Sequence, residues 1–221
     1  MPETKERPIL FSGPMVRAIL EGRKTVTRRT IKQDWIQSDR APLETCKGVF
    51  HFWCSGEHSC PYGQPGDRLW VRETWGVISH TWNEHGDMVD WVPDRPATAI
   101  RELPFGRGYY SGHVIYAADG PNEWAGDDDG GGEPRSAWHP SIHMPRAASR
   151  ILLEITDVRV ERLQDITPSQ CIAEGAWRIE DKELGRGHEA VAAFQELWQS
   201  TGGDWDANRW VWVVEFRRVQ P

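Results

Sequence analysis

The sequence has no long apolar run. No stretch approaches the roughly 20 apolar residues of a membrane-spanning helix. The first eight residues, MPETKERP, do not contain the apolar stretch of a secretory signal. The 221 residues are 38% hydrophobic and 27% charged, which is typical of a globular chain. We therefore expect a cytoplasmic protein that does not contact a membrane.

The sequence also has no excess of positive charge. Its net charge is -7, whereas a protein that coats long duplex DNA needs a broad basic face. Basic residues are concentrated in one short stretch, which holds Arg23, Lys24, Arg28, Arg29 and Lys32. This pattern favours contact with a small nucleotide or a local RNA feature over contact with long duplex.

Cysteine is scarce, with four residues in the chain. Three of them, Cys46, Cys54 and Cys60, share a short window with His51 and His58, but they do not have the paired spacing of a zinc knuckle. The sequence therefore predicts free thiols, and zinc on Cys46, Cys54, His58 and Cys60 is the alternative. No glycine-rich phosphate loop or dinucleotide fingerprint is present, so we predict no cofactor.

Tryptophan, by contrast, is abundant, with 13 residues. Most tryptophans in proteins pack in the core. Trp70 and Trp75 flank Glu73 in the sequence, and we expect these two to offer flat faces on which bases stack.

The pattern of elements predicts one α+β domain over residues 1–221, built on a small β-barrel with flanking short helices. Large loop insertions are expected at about 33–65 and 80–145. We predict helices after Pro14, after Pro168 and over 188–200, and strands over 25–31, 69–75, 109–117, 150–163 and 210–216. The acidic and glycine-rich run 127–133 is expected to be a solvated loop.

Two short segments carry most of the chemistry. Residues 22–29 read GRKTVTRR and residues 66–73 read GDRLWVRE. Lys24, Thr27 and Glu73 are the types of residue that form a base, a nucleophile and an orienting carboxylate. They are equally suited to a polar pocket that grips a base or a phosphate.

Each of these residues also has a purely structural interpretation. Lys24 at a helix end complements the helix dipole, Thr27 faces solvent from a strand, and Glu73 forms a salt bridge to Arg28 or Arg29. Positions three apart on a strand point to opposite faces. Lys24 and Thr27 therefore converge only if Lys24 belongs to the preceding turn, or if the strand contains a bulge.

The pattern Gly22-x-Lys24-x-x-Thr27-x-Arg29, followed by the segment 66–73, resembles the signature of ASCH domains, which share the PUA-like β-barrel. The tryptophan-rich, extended form is similar to members encoded by phages and prophages. The resemblance implies a PUA-like barrel and contact with RNA or a modified nucleoside. It also implies catalytic roles for Lys24, Thr27 and Glu73, as in small ASCH enzymes that hydrolyse the acetyl amide of N4-acetylcytidine. We expect the ligand contacts to come from Arg23, Arg28, Arg29, Trp70, Arg72 and Trp75.

These features leave three hypotheses for function. The first is an RNA- or modified-nucleoside-directed amidohydrolase, in which Arg72 or a backbone N–H stabilises the oxyanion. The second is a non-catalytic RNA-binding module. The third is a phage accessory protein that acts by protein–protein contact, for which an exposed tryptophan-rich insertion would be the hallmark. The sequence does not identify a protein partner.

Overall fold

The structure is a computed structural model that describes residues 4–36, 40–122, 136, 138–176 and 189–220. The described part of the chain has an α+β fold made mostly of strands, as predicted. No described helix is long and apolar enough to cross a membrane. The run 127–133 and the predicted helix start at His188 lie outside the described residues.

The described helices are α1 (Gly13–Leu20), α2 (Pro168–Ala173) and α3 (Glu189–Ser200). The described strands are β1 (Glu6–Leu10), β2 (Val26–Thr30), β3 (Leu43–Cys46), β4 (Val49–Phe52), β5 (Gly56–Ser59), β6 (Arg68–Arg72), β7 (Trp75–Ile78), β8 (His80–Trp82), β9 (Met88–Asp90), β10 (Thr98–Phe105), β11 (Gly108–Tyr116), β12 (Leu152–Arg162) and β13 (Trp210–Val219).

Four sheets contain these strands. The largest has the order β1-β6-β12-β13-β2, and the others have the orders β10-β11-β7, β3-β4-β5 and β8-β9. In the largest sheet β13 runs antiparallel to both neighbours, with Val214 opposite Val158 on β12 and opposite Thr27 on β2. Among the described strands no pairing closes this sheet, so the PUA-like barrel stays a prediction.

The chain divides into two compact units. Unit 1 comprises Met1–Arg7, Ala18–Leu69 and Leu152–Pro221, and unit 2 comprises Pro8–Arg17 and Trp70–Ile151. Unit 1 therefore contains the GRKTVTRR segment, residues 66–69 of the GDRLWVRE segment and the C-terminal third. Unit 2 contains Glu73 and the predicted insertion at 80–145, whereas the predicted insertion at 33–65 lies in unit 1.

The core of unit 1 lies on both faces of β13. Val211 and Val213 point into a cluster that also holds Phe194 of α3. Trp212, which points to the other face, meets the rings of Phe50 and Phe52 of β4 at centroid distances of 5.3 and 6.0 Å. A strand covered on both faces needs a continuous apolar run, which explains the sequence WVWVV at 210–214.

The core of unit 2 forms around the sheet β10-β11-β7. Trp75, Val114, Tyr116, Met144 and Ala148 are buried together there. Trp75 pairs with Tyr116 across β7 and β11, so the cluster is centred on one cross-strand aromatic pair.

The structure confirms the predicted strands 25–31, 109–117, 150–163 and 210–216 and the three helices to within a few residues at their described ends. It corrects three other expectations. Residues 33–65 contain the sheet β3-β4-β5, the stretch 80–145 contains β8, β9 and β10 beside β11, and the predicted strand 69–75 is broken between β6 and β7. Of the missed strands, β3, β5, β8 and β9 have three or four residues each and no buried residue, so they have little hydrophobic alternation to detect.

Candidate functional site

Lys24 lies in the turn between α1 and β2. Gly22 has a φ of +74°, which allows the chain to reverse after the helix. The backbone N–H groups of Arg23 and Lys24 both donate to the carbonyl of Ala18, at 2.8 and 3.0 Å. Because β2 begins only at Val26, Lys24 belongs to the turn, which meets the condition for its convergence with Thr27.

The side chain of Lys24 is buried in an ionic group that we call the Lys24 cluster, made of Lys24, Arg28, Glu161 and Glu174. The Lys24 side chain is 0% exposed, and its Nζ donates to Glu174 Oε2 at 2.7 Å. The same ammonium donates to the carbonyls of Val26 and Glu174 at 2.7 and 2.9 Å. Arg28 donates from Nη1 to Glu174 Oε1 at 3.2 Å and from Nη2 to Glu161 Oε2 at 3.0 Å.

Helix α2 positions Glu174. Thr167 and Gln170 form a reciprocal capping box at its start. Glu174 follows its last residue, and Gly175 then adopts a φ of +77°. A Cβ at Gly175 would lie 3.2 Å from Lys24 Cβ and 2.9 Å from the Cβ of Ala18, so only glycine lets this turn approach the lysine.

Burial dominates the electrostatics of Lys24. Desolvation lowers the pKa of Lys24, while the charge and hydrogen bond of Glu174 act in the opposite direction. Arg29 and Arg28 lower it further. Within the described residues Arg28 Nε is buried without a hydrogen-bond partner, so one N–H donor of the Lys24 cluster is unsatisfied. A lysine in such surroundings loses its proton at a lower pH than a surface lysine does.

The Lys24 cluster continues outward along β12. Glu161 Oε1 accepts from Arg159 Nε at 2.9 Å. Arg159 Nη1 donates to Asp157 and Glu215 at 2.9 and 2.5 Å. The buried charges therefore connect through Glu161 to a half-exposed ionic network.

Three other predicted site residues, Thr27, Arg29 and Arg23, lie on β2 or in the turn before it. Thr27 is buried, but alternation along the strand places it on the face opposite Arg28. Arg29 shares the face of Thr27, and its charge acts on both Lys24 and Tyr62. Arg23 forms an exposed pair with Glu21. Contact between Thr27 and the lysine stays a prediction.

Glu73 belongs to a second ionic group in unit 2, the Glu73 cluster, made of Glu73, Asp119 and Arg150. Arg150 Nε and Nη2 donate to the two oxygens of Glu73 at 2.9 and 3.0 Å. Its Nη1 and Nη2 donate to the two oxygens of Asp119 at 2.6 and 2.9 Å. One guanidinium thus holds two carboxylates by paired hydrogen bonds, which is the strongest geometry for such a contact.

Burial is also the largest influence on the pKa values of Glu73 and Arg150. Desolvation raises the pKa of Glu73, and the hydrogen bonds from Arg150 offset only part of that effect. Burial disfavours the charged form of Arg150, but its bonds to Glu73 and Asp119 outweigh this and hold its pKa above the ordinary value. The guanidinium lies 3.8 Å from the ring centroid of Tyr116, whose own pKa burial raises to about 12.

The two tryptophans predicted to stack on bases are both buried. Trp75 is 0% exposed and packs on Phe105 and His139, so a base can reach it only after this cluster opens. Trp70 is 8% exposed, and the guanidinium of Arg72 lies 4.7 Å from its ring centroid. Trp53 and Trp82 are the tryptophans with large exposed surfaces in the described chain, at 46% and 62%.

The cysteine and histidine window does not form a metal site in the described residues. Cys46 and Cys54 are exposed, Cys60 is buried, and all are free thiols. His58 stacks on Trp35 with a centroid distance of 4.0 Å, and its Nε2 contacts the Ser55 hydroxyl at 2.9 Å. No group of three or more candidate ligands is found in the part of the chain that the structure describes.

The structure therefore divides the predicted Lys-Thr-Glu set. Lys24 and Thr27 lie in unit 1, where the acid on the lysine is Glu174, and Glu73 lies in unit 2 with Arg150. Sequence reasoning missed Glu174 and Arg150 as partners. The glycine after Glu174 was a usable signal of close approach, whereas nothing around Arg150 distinguishes it from other arginines.

Comparisons of the chain with family models, with curated proteins and with solved structures give no match. The resemblance to ASCH domains therefore stays a prediction.

Proposed function

We propose that this chain is an ASCH-like protein with a PUA-like fold that acts on RNA or a modified nucleoside and hydrolyses an acyl amide on the base. The Lys24 cluster is its reactive centre. The observation that supports this best is a lysine with no exposed side-chain surface, paired to a carboxylate at 2.7 Å and with a lowered pKa. Buried ion pairs contribute little to stability compared with apolar packing, so such a group has more value for chemistry than for folding.

The hydrolysis proceeds by two proton transfers through the lysine. Neutral Lys24 takes the proton of the nucleophile, which is the Thr27 hydroxyl in the sequence-based mechanism, and the oxygen attacks the acyl carbon. The lysine ammonium then gives its proton to the departing base nitrogen, and the C–N bond breaks. Water, deprotonated by Lys24 in the same way, cleaves the acyl-threonine ester and restores the site. Glu174 stabilises the ammonium at each stage.

The described geometry sets two conditions on this mechanism. The Lys24 side chain has no exposed surface, so the groups that cover it have to move before a substrate can reach its Nζ, while Glu174 keeps its contact with the ammonium. Thr27 lies on the strand face opposite Arg28, so it reaches the acyl group only if the substrate enters from the face of Arg29. Water activated directly by Lys24 is the nucleophile if that face is not used.

The test is a mass-change screen of the purified chain against acylated and otherwise modified nucleosides. Glu174→Gln removes the charge that stabilises the lysine and should reduce turnover by about 100-fold or more. Glu154→Gln removes a carboxylate that pairs with Arg217 on the exposed side of β12, and it should leave turnover unchanged. Thr27→Val should abolish turnover and Thr27→Ser should retain it if the threonine attacks.

Two results would contradict the proposal. Turnover by Glu174→Gln at the rate of the unaltered chain would exclude the Lys24 cluster as the reactive centre. Binding of a modified nucleoside without any mass change would favour the non-catalytic RNA-binding module instead.

A second candidate function, protein–protein contact, is favoured by the exposed hairpin β8–β9. Trp82 and Met88 lie opposite each other across this hairpin and are 62% and 63% exposed. Val92, just beyond it, is 79% exposed. Aromatic residues and methionine are enriched at interfaces. Sedimentation of the chain before and after Trp82→Gln tests self-association, and an unchanged monomer in both would remove this form of the hypothesis.

A further inference from the structure

Unit 1 contains an open cavity of about 410 Å³ at one end of β1. It lies within the size range of small-molecule sites. Its walls come from β1, the turn between β3 and β4, the end of β5 and the loop that leads into β6. Its polar lining comes from Lys5, Arg7, Ser59, Cys60, Gln64 and Asp67.

One side of the cavity is fixed by Asp67. Its Oδ2 accepts from Arg7 Nη1 at 2.7 Å and from the backbone N–H of Gln64 at 3.2 Å, and its Oδ1 accepts from the backbone N–H of Lys5 at 3.1 Å. Gly63 has a φ of +127°, and a Cβ there would lie 2.7 Å from Arg7 Nη1 and 2.9 Å from Asp67 Oδ2. A side chain at position 63 would therefore collide with the pair of Arg7 and Asp67.

Each of the other polar side chains in the cavity can donate a hydrogen bond to a ligand. The Lys5 ammonium, the Ser59 hydroxyl and the Gln64 amide have no side-chain partner among the described residues, and all three residues are exposed. The one carboxylate, Asp67, already accepts three hydrogen bonds. The Cys60 thiol stays protonated at neutral pH because burial raises its pKa to about 11. The cavity thus carries two cations, Lys5 and Arg7, against one carboxylate that already accepts three hydrogen bonds, and this balance of charge favours an anionic ligand.

We propose that this cavity binds the phosphate group of a small molecule. A phosphate presents several acceptor oxygens and up to two negative charges, which match Lys5, the guanidinium of Arg7 and the two neutral donors. The cavity is larger than one oxyanion, so it also has room for the organic part of a phosphate monoester. The site uses no member of the Lys24 cluster and stands independently of the amide hydrolysis.

Isothermal titration of the full chain with inorganic phosphate, with a nucleoside 5′-monophosphate, with the matching nucleoside and with succinate tests this site. We expect both phosphate-containing probes to bind, and both to lose tenfold or more in affinity in Lys5→Gln and in Gln64→Glu, which places a carboxylate in the cavity. Both residues are exposed and neither side chain has a partner, so these variants should fold normally. Lys47→Gln removes an exposed lysine of the same unit that does not line the cavity, and it should change the affinity by less than twofold.

The outcomes separate the possible ligands. Tighter binding of the nucleotide than of inorganic phosphate would place the organic part in the cavity, and equal binding would place the phosphate alone there. Succinate binding more tightly than phosphate would overturn the assignment to phosphate. Equal losses in Lys47→Gln and Lys5→Gln would show attraction to general positive charge, and unchanged binding in Gln64→Glu would place the phosphate elsewhere; either result would overturn the site.

Discussion

The Lys24 cluster and the Glu73 cluster are both buried ionic groups, but they share their carboxylates differently. In unit 1 two cations, Lys24 and Arg28, share the carboxylate of Glu174, whereas in unit 2 one cation, Arg150, holds two carboxylates. A guanidinium does not lose its proton in a protein, but a buried ammonium can. The Lys24 cluster therefore suits proton transfer, whereas the Glu73 cluster suits rigid positioning of its carboxylates.

The largest expected effect comes from removing the only cation of the Glu73 cluster. Arg150→Met leaves two carboxylates close together without a cation, and it should lower the free energy of unfolding by about 3–5 kcal/mol at pH 7. Urea denaturation measures this loss. Part of the stability should return at lower pH, because protonation of one carboxylate removes the repulsion. Arg217→Met, at an exposed pair with Glu154, is the control and should cost about 0–1 kcal/mol. Equal costs for the two variants would show that the buried clamp has no special role.

Removing the lysine of the other cluster should cost less. Lys24→Met keeps the volume of the side chain, and Glu174 retains its contact with Arg28. We therefore expect a loss of about 1.5–3 kcal/mol, the size of hydrogen bonds to a charged group. If Lys24→Met lowered the free energy of unfolding by more than Arg150→Met does, the expected order of the two clusters would be wrong.

A smaller effect should follow from weakening the helix that presents Glu174. Thr167→Ala removes the side-chain cap of α2 and should cost about 1 kcal/mol. Thr167→Ser keeps the hydroxyl and should therefore retain most of the stability that Thr167→Ala loses. Thermal denaturation of both variants measures the difference. If Thr167→Ala also reduces turnover in the nucleoside screen while Thr167→Ser does not, the cap contributes to placing the carboxylate.

The smallest expected effect is on the pH dependence of stability, to which Glu73 and Asp67 contribute with opposite signs. The pKa of Glu73 is raised above its ordinary value of 4.5, so the folded chain binds this proton more tightly than the unfolded chain. The contribution of Glu73 to the free energy of unfolding therefore falls as pH rises from about 4.5 through the raised pKa. Asp67, whose pKa lies below its ordinary value because its hydrogen bonds outweigh its burial, stabilises the fold above about pH 3.8, and this contribution is lost in acid.

Urea titrations between pH 3 and 7 test both signs. Glu73→Gln should remove the falling contribution, and Asp67→Asn should flatten the loss below pH 4. Identical pH profiles for Glu73→Gln and the unaltered chain would show that Glu73 titrates in the folded state as it does in the unfolded one.

The sequence predicted the parts of the fold that depend on strong local signals. Strand β13 was recognisable because it is apolar on both faces, and α2 because Thr167 and Pro168 mark its start. The strands β3 and β8 escaped detection because their residues are exposed and do not alternate in hydrophobicity. Ion pairs between residues far apart in the sequence could not be predicted either. Lys24 and Glu174 are 150 residues apart, and nothing in the local sequence encodes their contact.

The four cysteines of this chain, Cys46, Cys54, Cys60 and Cys171, all fall in unit 1. Two are accessible to an alkylating reagent, whereas Cys171 lies in α2 with no exposed surface and burial raises its pKa to about 11. Its rate of alkylation at neutral pH therefore reports how often the helix that carries Glu174 opens, while a breathing motion confined to unit 2 leaves no trace in the label. Labelling of Cys171 therefore measures the opening of unit 1 at α2, the helix that directly precedes Glu174.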